Sequence, residues 1–193
     1  MIGQFMFASV MFVALIVTIT AFVTPGWRSF TVVKGHENEA QKYSMPEAMG
    51  LLWCTSPTPE NKAKIDYCHV WHNNKPKCDK NVTVIMIIVL ALEIGSLMWV
   101  SVTFFACCRR EFWIFFLPLL AFLVTLTLAI ALFIYTDNNK SAFDILNENR
   151  EGALAAYQIN FFYSYYIAWV ALFLIIICIL IGAFAKKLAQ ICC

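Results

Sequence analysis

The chain has 193 residues, of which 61% are hydrophobic and only 13% are charged, and its mean hydropathy is +0.72. Soluble domains carry about 25% charged residues, so the composition excludes an ordinary soluble protein. The formal net charge of +2 is too small to indicate nucleic acid as a partner.

Four long apolar segments divide the chain, at 5–23, 82–106, 112–135 and 161–184. Each is close to or longer than the ~20 residues that cross a bilayer as a helix. Because backbone groups inside lipid have no water to bond, these segments must be helical. The sequence predicts an α-helical membrane protein with a four-helix bundle. We expect residues 1–193 to form a single domain, with membrane lipid as one of its partners.

The first apolar segment has a second interpretation, as a cleaved signal peptide. Met1–Gln4 contains no Lys or Arg, the apolar run exceeds the usual length, and no small-residue cleavage site ends it. We therefore predict a retained helix.

The first connection, 24–81, is long and rich in aromatic residues, unlike a linker. Short apolar runs at Phe30–Val33, Leu51–Cys54 and Cys68–Trp71 favour strands, and clusters of Pro, Ser and Asn separate them. We expect these runs to form a small antiparallel sheet.

This connection also contains three cysteines. Cys54 and Cys68 flank a Ser-Pro-Thr-Pro turn, which fits a disulfide between neighbouring strands. Cys78 could replace Cys68 in this pair, remain free, or pair with another chain. The sequence leaves these alternatives open.

Glu93 is the one charged residue within the four apolar segments. A charge at that depth is costly, so it is either a functional site or a protonated carboxyl that joins helices. Thr125 and Thr127 lie at similar depth in the third segment and could bond it. No second acid or base accompanies Glu93 in the membrane, so we favour the role in joining helices.

Ala91 and Gly95 form a face of small residues in the second segment. Such faces allow helices to approach closely, either within one bundle or between molecules. We expect this face to pack inside the bundle.

Two basic pairs predict which side of the membrane the termini and the loops occupy. Four spans place both termini on one side, together with the short turn that contains Arg109–Arg110 and the tail that contains Lys186–Lys187. Basic residues near span ends indicate the cytoplasm, although the first loop itself carries eight. The glycosylation sequons at Asn81 and Asn139 and the loop cysteines favour an extracellular position for the two long loops, 24–81 and 136–160.

Paired cysteines lie at both expected cytoplasmic ends. Cys107, Cys108, Cys192 and Cys193 follow the second and fourth apolar segments and are candidates for S-palmitoylation, with reduced thiols as the alternative.

The sequence shows no pattern of residues that is typical of an enzyme. His36, His69 and His72 do not give, with the neighbouring cysteines, the spacing of a four-ligand zinc site. A nucleophile motif, a phosphate-binding loop and a fitting pair of carboxylates are all missing from the sequence. We expect no enzymatic activity, no metal and no cofactor.

The first loop contains six residues in a recognisable order: Trp27, Gly50, Leu51, Trp53, Cys54 and Cys68. This order resembles the signature of the claudin, peripheral-myelin and epithelial-membrane-protein superfamily, which has a Trp, then Gly-Leu-Trp, then two cysteines. The layout of spans and loops is similar over the whole chain. Trp53 and Cys54 adjoin, where the family has two residues between them, and Cys78 is extra. The chain thus resembles a divergent, invertebrate claudin-like member.

The resemblance implies a left-handed four-helix bundle that carries a sheet, mostly from the first loop with one strand from the second. In that architecture we expect Trp27 at headgroup level, where Trp anchors spans. We expect Trp53 in the core of the sheet, beside the disulfide.

The resemblance also implies a function without chemistry. Claudin-like proteins seal or gate the space between cells by self-association in one membrane and across to the next cell, at plasma-membrane junctions. Related proteins are auxiliary subunits of ion channels or receptors, or organise myelin-like membranes, and both remain alternatives. Phe143, Ile145 and Leu146 of the second loop suggest either contacts at a loop tip or a buried strand.

Overall fold

The computed structural model describes residues 2–36, 40, 43–54, 65–105, 110–139, 143, 146 and 150–191. Its helices are α1 (Ile2–Val23), α2 (Tyr67–Asn73), α3 (Lys77–Phe105), α4 (Arg110–Asp137), α5 (Arg150–Ala156) and α6 (Tyr163–Ile191). Its strands are β1 (Arg28–Val32), β2 (Tyr43–Ser44), β3 (Ala48–Met49), β4 (Ile65–Asp66) and β5 (Tyr157–Phe161).

Four helices, α1, α3, α4 and α6, are long and apolar enough to cross a membrane, which confirms the four segments read from hydropathy. The helix ends differ from the apolar segments. Helix α3 begins at Lys77, five residues before the apolar run. Its first turns are polar, and the acidic Asp79 there suits the positive end of the helix dipole, a feature that hydropathy does not detect.

The chain divides into two compact units, which we call the helical unit and the loop unit. The helical unit comprises Met1–Ile19, Ile85–Ala131 and Ile167–Cys193. The loop unit comprises Thr20–Val84 and Leu132–Tyr166.

Small residues allow the helices of the helical unit to pack closely. Ala14, Ala121 and Ala171 are fully buried. A Cβ atom added to Gly182 of α6 would lie 3.1 Å from the backbone nitrogen of Pro118 in α4, so glycine permits this close approach.

The predicted small-residue face of α3 does not point into the interior of the helical unit. Ala91 and Gly95 are exposed, and a Cβ on Gly95 would meet no atom within 4 Å in the described part of the chain. The expectation that this face packs inside the bundle is therefore wrong. Glu93 and Ser96, which are buried, lie on the face of α3 that does pack inside.

The loop unit contains a three-stranded antiparallel sheet in the order β3-β1-β5. Arg28 pairs with Phe161 and Val32 with Tyr157, so β1 runs along the full length of β5. Two strands come from the first connection and one from the second, as the resemblance implied. Strands β2 and β4 form a separate parallel pair, which the sequence did not predict.

Two of the three predicted strands are misplaced. The first, Phe30–Val33, overlaps β1. The second, Leu51–Cys54, contributes only a bridge from Cys54 to Met49, because the backbone turns back at Gly50.

The third, Cys68–Trp71, lies in helix α2 and not in a strand. The Asp66 carboxylate caps this helix by accepting bonds from the N–H groups of Cys68 and His69. A four-residue apolar run alone cannot distinguish strand from helix, and the cap decides the outcome here.

The core of the loop unit is aromatic. Its buried members are Phe30, Met45, Met49, Tyr67, Trp71, Phe143, Leu146 and Tyr157, with three alanines. Phe143 and Leu146 are only 1% and 6% exposed, so they belong to this core and are not available at a loop tip. Ile145 lies outside the described residues.

Candidate functional site

The predicted disulfide between Cys54 and Cys68 is confirmed, with Cα atoms 5.5 Å apart. It joins the end of the turn after β3 to the first turn of α2. Cys78 is a free, half-buried thiol, and its Sγ lies 3.8 Å from the carbonyl oxygen of Ile134.

A buried ion pair lies close to the sheet in the loop unit. Arg28 of β1 and Asp79 of α3 are 2% and 1% exposed, and the Arg28 Nη2 donates to Asp79 Oδ1. The Trp71 Nε1 donates to the second carboxylate oxygen at 3.0 Å. The Arg28 Nε donates to the Tyr135 hydroxyl at 2.9 Å. Strand, short helix and two long helices thus meet at one charged cluster.

The charge states in this cluster follow from its surroundings. Burial alone would lower the pKa of Arg28, but Tyr135 and Asp79 facing it raise that pKa above its ordinary value, so the guanidinium stays charged. Burial raises the pKa of Tyr67, so its phenol stays neutral. The cluster therefore contains a charged Arg28 guanidinium that pairs with the Asp79 carboxyl, and the Tyr67 phenol near it is neutral.

Trp27 is fully buried, contrary to its expected place in the lipid headgroups. Its Nε1 donates to the carbonyl oxygen of Ala21 at 2.7 Å, and its ring meets Tyr135 edge to face at 4.9 Å. Its backbone N–H bonds the Met49 carbonyl at 3.0 Å. Trp27 is thus an interior residue that joins the end of α1 to the sheet.

The structure explains the glycine of the Gly-Leu-Trp motif. A Cβ on Gly50 would lie 2.9 Å from both the Pro25 Cα and the Thr24 carbonyl oxygen, and neither backbone atom can easily move. Leu51, which follows, is fully buried.

Trp53 is 58% exposed, so the expectation that it forms the core of the sheet is wrong. Trp71, 2% exposed, occupies that core. The sequence contained a signal for Trp71, since it lies four residues after the buried Tyr67, the spacing of one helix face.

Lys75 connects the turn after β3 to α3, a role that the sequence analysis missed. Its Nζ donates to the Leu51 carbonyl at 2.6 Å and to the Thr83 hydroxyl at 3.0 Å. The same ammonium lies 5.0 Å from the centre of the Trp71 ring. Partial burial lowers the pKa of Lys75.

The second buried polar site lies in the helical unit, around Glu93. Its side chain is fully buried, and the Thr18 hydroxyl of α1 lies 2.8 Å from Oε1. The other oxygen, Oε2, has no hydrogen-bond partner in the described part of the chain. Thr125 and Thr127 instead bond the carbonyl oxygens of their own helix, so the expected partner was wrong.

The contacts of Thr18 favour a protonated Glu93. The Thr18 hydroxyl also bonds the Ala14 carbonyl oxygen at 2.9 Å, and a carbonyl can only accept. A hydroxyl has one proton, so both contacts are fully satisfied when the carboxyl itself carries a proton and donates to Thr18. This geometry supports the role of Glu93 in joining α1 to α3.

We expect Glu93→Gln to keep the thermal stability of the purified protein, because an amide can donate to Thr18 as the acid does. Glu93→Ala should cost about 1–2 kcal/mol, the usual size of one interhelical hydrogen bond. Thr127→Ala is the matched control, because the Thr127 hydroxyl bonds the Leu123 carbonyl of its own helix. A Gln variant as unstable as the Ala variant would contradict a protonated Glu93.

The modification candidates lie in different environments. Asn81 is exposed in the first turns of α3, whereas the Asn139 side chain is 7% exposed. Glycosylation therefore remains a prediction, and the exposure favours Asn81. Cys107, Cys108, Cys192 and Cys193 lie outside the described residues. Among the residues that are described, no group of three or more metal-ligating side chains comes together.

The structure thus contains two closed polar sites, one in each unit: the Glu93 site, which the sequence analysis singled out, and the Arg28 site, which it missed. Each is shielded from solvent, and each holds together elements that are distant in sequence. No model of a protein family matches the sequence, and no curated protein shows significant similarity to it.

Proposed function

We propose that this chain is a claudin-like membrane protein that acts in cell–cell adhesion or as a paracellular barrier. The observation that carries the proposal is the loop unit, whose antiparallel sheet takes strands from both long connections and is cross-linked by Cys54–Cys68. Four helices of membrane-spanning length accompany it. The motif residues Trp27 and Gly50 hold this sheet against the end of α1, and Leu51, which follows them in the motif, is fully buried.

A disulfide supports the proposed orientation. Disulfides persist on the lumenal or extracellular side, so Cys54–Cys68 favours that side for the loops and, with four spans, the cytoplasm for both termini. Localisation at the plasma membrane is part of the same proposal.

The proposed mechanism is steric and electrostatic. The sheet is a rigid platform, because a disulfide and a buried ion pair fix its elements, and exposed residues on it meet the neighbouring molecule. Phe143 and Leu146 do not take part in these contacts, since they are buried in the platform's core.

Lateral self-association would use the exposed face of α3. Ile88, Ala91, Gly95, Met98 and Val102 are all exposed, and their spacing of three and four residues places them on one stripe. Small residues at the centre of such a stripe let two helices approach closely in lipid.

We expect Gly95→Leu to reduce lateral association severalfold, because the added side chain separates the helices. Folding should remain intact, because a Cβ on Gly95 meets no atom within 4 Å among the residues that the structure describes. Energy transfer between two labelled copies in one membrane measures the effect. Ser9→Leu, which adds bulk at an exposed position of α1, is the matched control. Equal transfer for both variants would remove α3 from the interface.

The function itself is tested in cells that lack such junctions. We expect the protein to concentrate at borders between two expressing cells and not at borders between an expressing and a non-expressing cell. Enrichment at mixed borders or a uniform surface distribution would contradict adhesion between copies.

The alternative is an auxiliary subunit of an ion channel or receptor, or a membrane organiser. The exposed small-residue face of α3 favours a lateral partner of this kind as well as a second copy. Uniform surface distribution together with copurification of a channel would support the auxiliary subunit.

A further inference from the structure

Trp53 is a large apolar side chain whose exposure the scaffold does not explain. Its neighbours in the motif are buried or half-buried, with Leu51 at 0% exposure, yet the Trp53 side chain is 58% exposed. Burial of a Trp contributes more than that of most side chains, so this exposed indole offers apolar area that a partner outside the fold can cover.

The backbone holds Trp53 in a fixed position. The Gly50 N–H donates to the Trp53 carbonyl at 3.0 Å, and Met49 and Cys54 form a bridge across the same turn. The disulfide from Cys54 to Cys68 fixes the far end. The indole is therefore presented by a rigid turn.

Two contacts within the loop unit give the position of this turn along the helix axes, relative to the ends of α1 and α3. Gly50 packs on Thr24 and Pro25, which directly follow the last residue of α1. Lys75 joins the Leu51 carbonyl to Thr83, which lies six residues into α3 from Lys77, about 9 Å along the helix axis. The turn thus lies level with the ends of the apolar spans, where lipid headgroups lie.

Other exposed aromatic side chains of the loop unit occur at the start of α6. Phe162, Tyr163 and Tyr166 are 39%, 41% and 59% exposed. Exposed Tyr and Trp side chains at span ends are typical of the aromatic belt at a membrane surface.

We propose that the Trp53 indole is buried in the lipid headgroup layer on the side of the loop unit, so that the Gly50–Trp53 turn rests on the bilayer. The partner is a lipid surface. The amphipathic ring suits this layer, because its apolar face meets acyl chains while its N–H can reach headgroup oxygens.

The test uses the full chain labelled with 5-fluorotryptophan in phosphatidylcholine nanodiscs. Trp53→Phe identifies the Trp53 fluorine resonance, with Trp53→Tyr as a second route if the Phe variant folds poorly. Gadolinium is then supplied either on a lipid headgroup or as a water-soluble chelate. Trp169, which is 41% exposed on the spanning part of α6, is the internal reference.

We expect the headgroup-bound gadolinium to broaden the Trp53 resonance at least about threefold more than the soluble chelate does, as for a residue at the interface. Stronger broadening by the soluble chelate would place the indole in water and overturn the proposal. Broadening by neither reagent would show that protein covers the indole, in a second copy or a partner, and would overturn it equally.

Discussion

Replacing Asp79 with Ala is expected to destabilise the fold by about 3–5 kcal/mol, because Arg28 would then remain charged and unpaired in a buried site. Trp71 would lose its hydrogen-bond acceptor in the same step. We expect the variant to unfold at a markedly lower temperature in detergent and to be retained inside the cell. Thermal unfolding followed by tryptophan fluorescence measures the effect.

The matched control for this prediction is Asp137→Ala, which removes an exposed acidic residue at the end of α4. A double replacement, Arg28→Met with Asp79→Leu, should be less damaging than either single change, since no charge is left unpaired. If Asp79→Ala were no worse than Asp137→Ala, the buried ion pair would not support the loop unit as described.

Loss of either disulfide cysteine should have a similarly large effect. Cys54→Ser and Cys68→Ser are each expected to cost about 2–5 kcal/mol, because the unfolded chain gains the freedom that the cross-link removes. The two variants should lose the same amount of stability, since both remove the same disulfide. Delivery to the cell surface, measured by surface biotinylation, should fall to the same extent in both.

Cys78→Ser is the internal control for this series, since Cys78 is outside the disulfide. We expect it to reach the surface nearly as well as the unchanged protein. If Cys78→Ser alone were retained, the pairing would be wrong, and peptide mapping without reduction would then reveal which cysteine it joins.

The four long helices could be predicted because the bilayer provides no water to bond the backbone N–H and C=O groups. An apolar stretch of some 20 residues has one structure that satisfies its backbone in a bilayer. The ends of these helices could not be predicted from hydropathy, since the first turns of α3 are polar. Their helical structure has other causes, among them the favourable interaction of the acidic Asp79 with the helix dipole.

The loop unit was predicted less completely. The strand near Phe30 followed from its apolar run and the turn residues around it. The sequence favoured the Cys54–Cys68 pair but left Cys78 as an alternative, and the structure decided between them. Helix α2 did not, because its cap, Asp66, competes with a strand pattern that is only four residues long.

The two buried polar sites also show what the sequence could not predict. Arg28 and Asp79 are 51 residues apart in sequence, and no pattern in the chain pairs them. Thr18 and Glu93 are 75 residues apart, and several Thr residues were equally plausible partners by depth. Trp71, and not Trp53, lies in the core of the loop unit, because a motif gives the order of residues and not which of two indoles faces inward.

Both sites have a consequence for the proposed function. Neither Arg28 nor Glu93 is accessible to solvent, so both act by fixing the fold. In the proposed function, recognition is left to exposed groups, namely the stripe on α3 around Gly95 and the surface of the loop unit. The proposed function therefore depends above all on where the loop unit lies relative to the membrane.

Insertion of a short epitope after Thr58, with separate epitopes at the two termini, tests that position most directly. The account predicts that antibody reaches the Thr58 epitope on intact cells and reaches both terminal epitopes only after permeabilisation. Labelling of a terminus on intact cells, with the Thr58 epitope detectable only after permeabilisation, would reverse the topology and contradict the account.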